Sequence, residues 1–96
     1  MAAGTSLDGQ AAIVTGASSG IGTATAHALA RDGAAVALAA RRRERLEEIA
    51  DRLRTEYDAE TLVVPTDVRD DAAVADLVES TVDAFGGLDL LVNNAG

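Results

Sequence analysis

Ile13-Val14-Thr15-Gly16-Ala17-Ser18-Ser19-Gly20-Ile21-Gly22 is the stretch on which the architecture turns: a short apolar run stops at glycines, and a helical repeat begins beyond them. Ala11 to Val14 fit a buried parallel strand, and Ile21, Ala24, Thr25, Ala28 and Leu29 recur at helical spacing. Gly16 lets the chain leave the strand sharply, Gly20 lets backbone approach a bound group, and Gly22 lets helix and strand pack closely. Such a turn presents bare N–H groups at the positive end of a helix dipole. With the hydroxyls of Ser18 and Ser19 and the start of the helix at Ile21, it suits a pyrophosphate. The plainer alternative is a strand-to-helix turn that binds nothing. The spacing is Gly-x-x-x-Gly-x-Gly, which departs from the common Gly-x-Gly-x-x-Gly fingerprint.

The surrounding composition narrows the class. A chain of 96 residues allows one domain, and its 48% hydrophobic content overstates the core because 21 of the residues are alanine. No cysteine is present, which excludes disulfides, Cys-ligated metal and thiol catalysis. A net charge of -8 argues against nucleic acid and anionic membrane as partners. All eight basic residues are arginine, a pattern that suits a salt-rich cell interior and equally a GC-rich genome. No run approaches membrane-spanning length, and Met1 to Ser6 lack a basic and apolar signal pattern, so a cytoplasmic protein with a loose tail over residues 1–6 is expected.

Further along, the first helix is expected to run from Gly20 to Asp32 with Gly33 closing it, and His27, off the apolar face, is read as solvated. Ala34 to Ala40 reads as a second buried strand that ends at Arg41-Arg42-Arg43. In a dinucleotide fold an acidic residue at this strand tip meets the ribose 2′-hydroxyl of NAD. Here that acid is missing. The Arg41 guanidinium, with Arg42 behind it, suits a 2′-phosphate and favours NADP(H) over NAD(H); the alternative is arginines on an exposed helix turn. The helix Arg43 to Tyr57 buries Leu46, Ile49, Ala50 and Leu53 and spaces Glu48 and Arg52 for an ion pair. Tyr57 lacks a lysine to activate it.

Thr61 to Pro65 reads as the third strand, and Asp67 with the Val68 backbone follows at its carboxyl end, placed to meet an adenine ring; alternatively Asp67 only organises the turn. Asp70 and Asp71 suit a helix N-terminus, and no metal-ligand set accompanies them. That helix, Asp70 to Phe85, buries Val74, Leu77, Val78, Thr81 and Phe85, and Leu88 to Val92 is a fourth buried strand. The alternation implies an α/β Rossmann-like doubly wound parallel sheet of four strands in order 3-2-1-4 with three helices.

Taken together, these residues resemble the short-chain dehydrogenase/reductase family from about Leu7 to Gly96. Thr15-Gly16-Ala17-Ser18-Ser19-Gly20-Ile21-Gly22 is similar to that family's own glycine motif, Asp67-Val68 to its adenine-binding pair, and Asn93-Asn94-Ala95-Gly96 to its Asn-Asn-Ala-Gly strand end. The resemblance implies that this strand end braces the central sheet and reaches the cofactor ribose, with Asn94 favoured as the contact and Ala95 and Gly96 beside it. It also implies NADP-linked alcohol oxidation or ketone reduction by hydride transfer. The family's catalytic serine, Tyr-x-x-x-Lys pair and helix asparagine match nothing here, so no catalytic residue carries over, and residues 7–96 read as the N-terminal portion of a cofactor-binding domain. Two other readings stay open: a non-catalytic NADP-binding module, and an interaction fragment that pairs through its open fourth strand. A complete form is expected to be a homo-oligomer.

Overall fold

The structure, a computed structural model, describes residues 6–94. Strand β1 (Ala11–Thr15) leads into helix α1 (Gly20–Arg31), and β2 (Ala35–Ala40) into α2 (Arg43–Tyr57). Strand β3 (Thr61–Pro65) then leads into α3 (Asp71–Phe85), and β4 is Leu90–Val92. All pairings are parallel and the strand order is β3-β2-β1-β4, as the alternation implies. Ile13 sits opposite Ala37 on one side and Leu91 on the other, and Ala37 opposite Leu62.

Because side chains alternate along a strand, this register divides the core into two layers. Val14, Val36 and Leu38 face Ala26 and Ala30 of α1 and Leu46, Ile49, Ala50 and Leu53 of α2. Ile13, Ala37 and Ala39 face Leu77 of α3, with Val78, Phe85 and Leu88 packed around them. Every residue of β1 is buried, which is why it reads as a continuous apolar run. Asp70 caps α3 by accepting from the amides of Ala72 (3.0 Å) and Ala73 (3.3 Å).

Several local expectations change in the folded chain. Helix α1 buries Gly22, Ala26 and Ala30; of the expected face of Ile21, Ala24, Thr25, Ala28 and Leu29, Leu29 packs against the core while Ile21 is 73% exposed. The close approach at Gly22 sets which side turns inward. That rotation carries His27 against α2, where Nδ1 lies 2.9 Å from the Tyr57 hydroxyl and the rings meet edge-on at 82°. His27 is therefore half-buried against Tyr57, where the sequence suggests a solvated residue. Gly33 closes α1 one residue beyond the cap Asp32, with φ of 100° and the Ala34 amide returning to the Leu29 carbonyl at 3.1 Å. Glu48 pairs with Arg45 at 3.5 Å, one turn before it, and not with the expected Arg52 one turn after it. Strand β4 is also shorter than the apolar run suggests. Asp89 starts the pairing with β1, its amide donating to the Ala11 carbonyl at 2.9 Å and its carboxylate accepting from the Ala11 amide at 2.8 Å.

The tightest constraint is the crossing of α1 over the end of β1. A Cβ on Gly22 would lie 2.1 Å from the Gly16 carbonyl oxygen and 2.9 Å from Asn94 Nδ2, whereas one on Gly20 would meet nothing within 4 Å. Gly22→Ala should therefore cost about 1–3 kcal/mol in chemical denaturation, the usual range for overpacking. Gly20→Ala, exposed at the first turn of the helix, should change stability by no more than about 1 kcal/mol. Equal midpoints for the two variants would contradict this packing.

Candidate cofactor-binding site

The carboxyl ends of all four strands converge on one edge of the sheet, where ligands bind in doubly wound folds. Gly16 leaves β1 with φ of 61°, a left-handed conformation natural to glycine. The turn is then fastened at several points. The Ala17 amide donates to the Ala39 carbonyl at 3.1 Å and the Ser19 amide to the Gly16 carbonyl at 3.1 Å. Ser19 is the N-cap of α1: its hydroxyl accepts from the Gly22 amide at 3.2 Å and donates to the Gly16 carbonyl at 2.9 Å. Asn94 Nδ2 donates to the same hydroxyl at 2.8 Å and lies 3.3 Å from the Gly16 carbonyl.

These bonds sort the expected contacts. The Ser19 hydroxyl has its proton and both lone pairs engaged within the protein, so it shapes the turn, while Ser18 lines the groove. Among the described residues the amides of Ser18, Gly20 and Ile21 have no partner, and they lie at the positive end of α1. Gly20 leaves room beside them for a bound group. The Asn94 amide nitrogen braces the turn, and its backbone N–H donates to the Thr15 hydroxyl at 3.0 Å. That hydroxyl reaches Asn93 Oδ1 at 3.0 Å and the Val92 carbonyl at 3.3 Å. Thr15 thereby joins the ends of β1 and β4. Ala95 and Gly96, also expected at the site, lie outside the described residues.

Beside the turn lies an open groove of about 470 Å³, lined by Gly16, Ser18, Ala40, Arg41, Thr66, Asp67, Val68 and Arg69. It brings together the glycine turn, the tip of β2 and the loop after β3. Thr66 is pinned by its amide to the Ala40 carbonyl at 2.7 Å and by its hydroxyl to the Val64 carbonyl at 2.9 Å. Arg42 does not line the groove: it precedes α2 as its N-cap residue, its carbonyl receiving the Leu46 amide at 3.5 Å. Among the described residues Arg41 makes no ion pair. A larger depression of about 690 Å³ opens at the opposite edge, around Gln10, Tyr57 and Glu60, away from the glycine turn.

Ala40, Thr66 and Arg69 line the groove beyond the residues expected there, and of these Arg69 alone is charged. Its Nε and Nη2 donate to Asp67 Oδ1 and Oδ2 at 3.1 and 3.0 Å, and its amide donates to Oδ1 at 3.0 Å. The signal lay in the spacing, since an aspartate commonly bonds the amide two residues on. Asp67 therefore does organise its turn, as the plainer alternative held, while still lining the groove. Arg69 side-chain hydrogen bonds are the main reason the Asp67 carboxyl falls from 3.8 to about 2; the Arg69 amide contributes next, desolvation opposes, and the charges of Arg69 and Arg41 add further attraction.

With this geometry in place, comparison with known proteins is direct. The short chain dehydrogenase family model matches residues 10–96, and the chain belongs to that family. It is 45% identical over 92 residues to an uncharacterized oxidoreductase of Staphylococcus haemolyticus, covering 96% of this chain and 38% of the relative. It is 40% identical to an 11-beta-hydroxysteroid dehydrogenase-like protein of Arabidopsis thaliana, covering 94% of this chain and 29% of that one. Among solved structures, L-sorbose reductase from Gluconobacter frateurii in complex with NADPH and L-sorbose superposes with a TM-score of 0.90 at 43% identity, over 97% of this chain and 35% of that one. Glucose dehydrogenase of Caenorhabditis elegans gives 0.88 at 41% identity, over 96% and 40% of the two chains. The chain thus spans well under half the length of these relatives. Among its described residues, no helix is long and apolar enough to cross a membrane.

The Asp67–Arg69 pair has a measurable signature. Because the folded value lies below the unfolded one, the pair's stabilisation is present above about pH 3.8 and is lost as pH falls through about 2. Carbon-detected NMR titration of Asp67 should give a midpoint near 2, rising toward 3.8 in Arg69→Ala. A midpoint of 3.8 in the parent chain would mean that the pair does not form in solution.

Proposed function

We propose that this chain is the NADP(H)-binding part of a cytoplasmic short-chain oxidoreductase that oxidises alcohols or reduces ketones. The observation that carries the reading is the groove: among the described residues, unpartnered amides and the Ser18 hydroxyl lie at one end, and an Arg41 guanidinium without a carboxylate partner at the other. The amides of Ser18, Gly20 and Ile21 would receive a pyrophosphate, with Gly16 and Gly22 giving the turn its shape. Arg41 would pair with a 2′-phosphate, and a fixed planar guanidinium suits two parallel hydrogen bonds to it. Asp67 and the Val68 amide, which has no partner among the described residues, would read the adenine edge. Asn94 would approach the cofactor ribose while its side-chain amide braces the turn, and Ala95 and Gly96 are proposed as further cofactor contacts.

The cofactor, when bound, supplies the hydride. The proton must come from a group placed on the substrate's carbonyl oxygen, and residues 1–96 contain neither the Tyr-x-x-x-Lys pair nor any lysine to support one. No catalytic role is therefore assigned within this stretch. The NADPH complex of L-sorbose reductase, a neighbour at 43% identity, supports the choice of phosphate-bearing cofactor.

Arg41→Ala should weaken NADPH binding by about 1–3 kcal/mol, the worth of charge-assisted hydrogen bonds, and leave NADH binding nearly unchanged. Fluorescence titration of both cofactors checks this, and equal losses would refute the 2′-phosphate assignment. A second reading, an interaction fragment pairing through its sheet edge, is favoured by Leu91 of β4, which is 58% exposed on the edge strand. An uncovered apolar edge strand is a template for pairing. Sedimentation velocity should then show self-association that Leu91→Lys abolishes; a monodisperse monomer at high concentration would dispose of that reading.

A further inference from the structure

The Asp67–Arg69 pair bears on which base the groove accepts. An ionised carboxylate only accepts hydrogen bonds and offers about four lone-pair sites over its two oxygens. Oδ1 receives both the Arg69 amide and Nε, whereas Oδ2 receives Nη2 alone. Among the described residues one acceptor site therefore stays open, on Oδ2, in a side chain that is 39% exposed and lines the groove. The fork geometry of the guanidinium fixes the plane of the carboxylate, and so the direction of the open site. With its proton affinity this low, Asp67 does not become a donor anywhere near neutral pH.

We propose that Arg69 is a positioning residue for base selection: by engaging both oxygens of Asp67, it leaves one aimed acceptor site that favours a base bearing an exocyclic amine over one bearing a carbonyl there. This rests on the reading that the groove takes the adenosine end of the cofactor. It also divides the work of the groove's two arginines. Arg69 is engaged by Asp67 and serves the base, while Arg41 has no carboxylate partner among the described residues and serves the phosphate.

The test compares NADPH with its deaminated analogue, in which hypoxanthine replaces adenine and a carbonyl replaces the amine. Dissociation constants are measured for the parent chain, Asp67→Asn and Arg69→Ala. The parent should prefer NADPH by at least about tenfold, the effect of one hydrogen bond to a charged acceptor. Asp67→Asn, whose amide both donates and accepts, should remove about tenfold from that ratio. Arg69→Ala should remove about threefold or more while the chain keeps its melting temperature, because a carboxylate held only by the backbone amide of residue 69 aims less well. An Arg69→Ala ratio equal to the parent's, with Asp67→Asn still lowering it, would overturn the role of Arg69 and leave the adenosine reading standing. A ratio unchanged in both variants would overturn the adenosine reading and the proposal with it. A loss in Arg69→Ala that follows NADPH against NADH, and not amine against carbonyl, would reassign Arg69 to the phosphate.

Discussion

The close crossing of α1 over the end of β1 is the constraint on which the rest depends. With a hydrogen in place of a side chain at Gly22, the Gly16 carbonyl sits where a Cβ would otherwise stand, and no other residue type permits that approach. The contact brings the helix terminus down onto the strand end, which lets Ser19 cap the helix and bond back to the Gly16 carbonyl. Asn94 then reaches the same carbonyl and hydroxyl from the end of β4. A cradle of outward amides exists because everything behind it is saturated.

The same preference for small residues runs through the core. Ala37 and Ala39 of β2 face α3, and Ala26 and Ala30 of α1 face the opposite layer, so the helices lie close to the sheet and few bulky side chains are needed between them. Such packing gains its stability from close contact over short side chains and leaves little freedom for enlargement. It also explains the full burial of β1, which is flanked by strands on both edges and by helices on both faces.

Electrostatics in the groove act through geometry more than through stability. Arg69 is 76% exposed and Asp67 39%, so water screens their attraction and the ion pair adds little to the folding free energy. What it does is hold a carboxylate ionised and oriented at the edge of a concave surface. The protein as a whole is acidic, with a net charge of -8, yet the tip of β2 keeps an arginine free of carboxylate partners among the described residues.

Local pattern was enough for much of this. The period change across Gly16 to Gly22, the apolar faces of α2 and α3, the cap at Asp70 and the β3-β2-β1-β4 order are legible in the sequence, because each depends on neighbours a few residues apart or on the handedness of crossovers. Asp67 and Arg41 were legible as groove residues because strand ends mark that edge. Tertiary contact decided the remainder. The inward face of α1 followed from the close approach of Gly22 to the Gly16 carbonyl. Arg42 fell outside the groove because the chain had already turned into α2. The partners of Ser19 and Thr15 come from Asn93 and Asn94, 75 to 79 residues away, and no local spacing encodes which lone pairs such distant groups will fill. The sequence by itself determined where the backbone would present amides and charges; the folded structure decided which of them remain free, because a hydrogen bond is assigned only when both partners are in place.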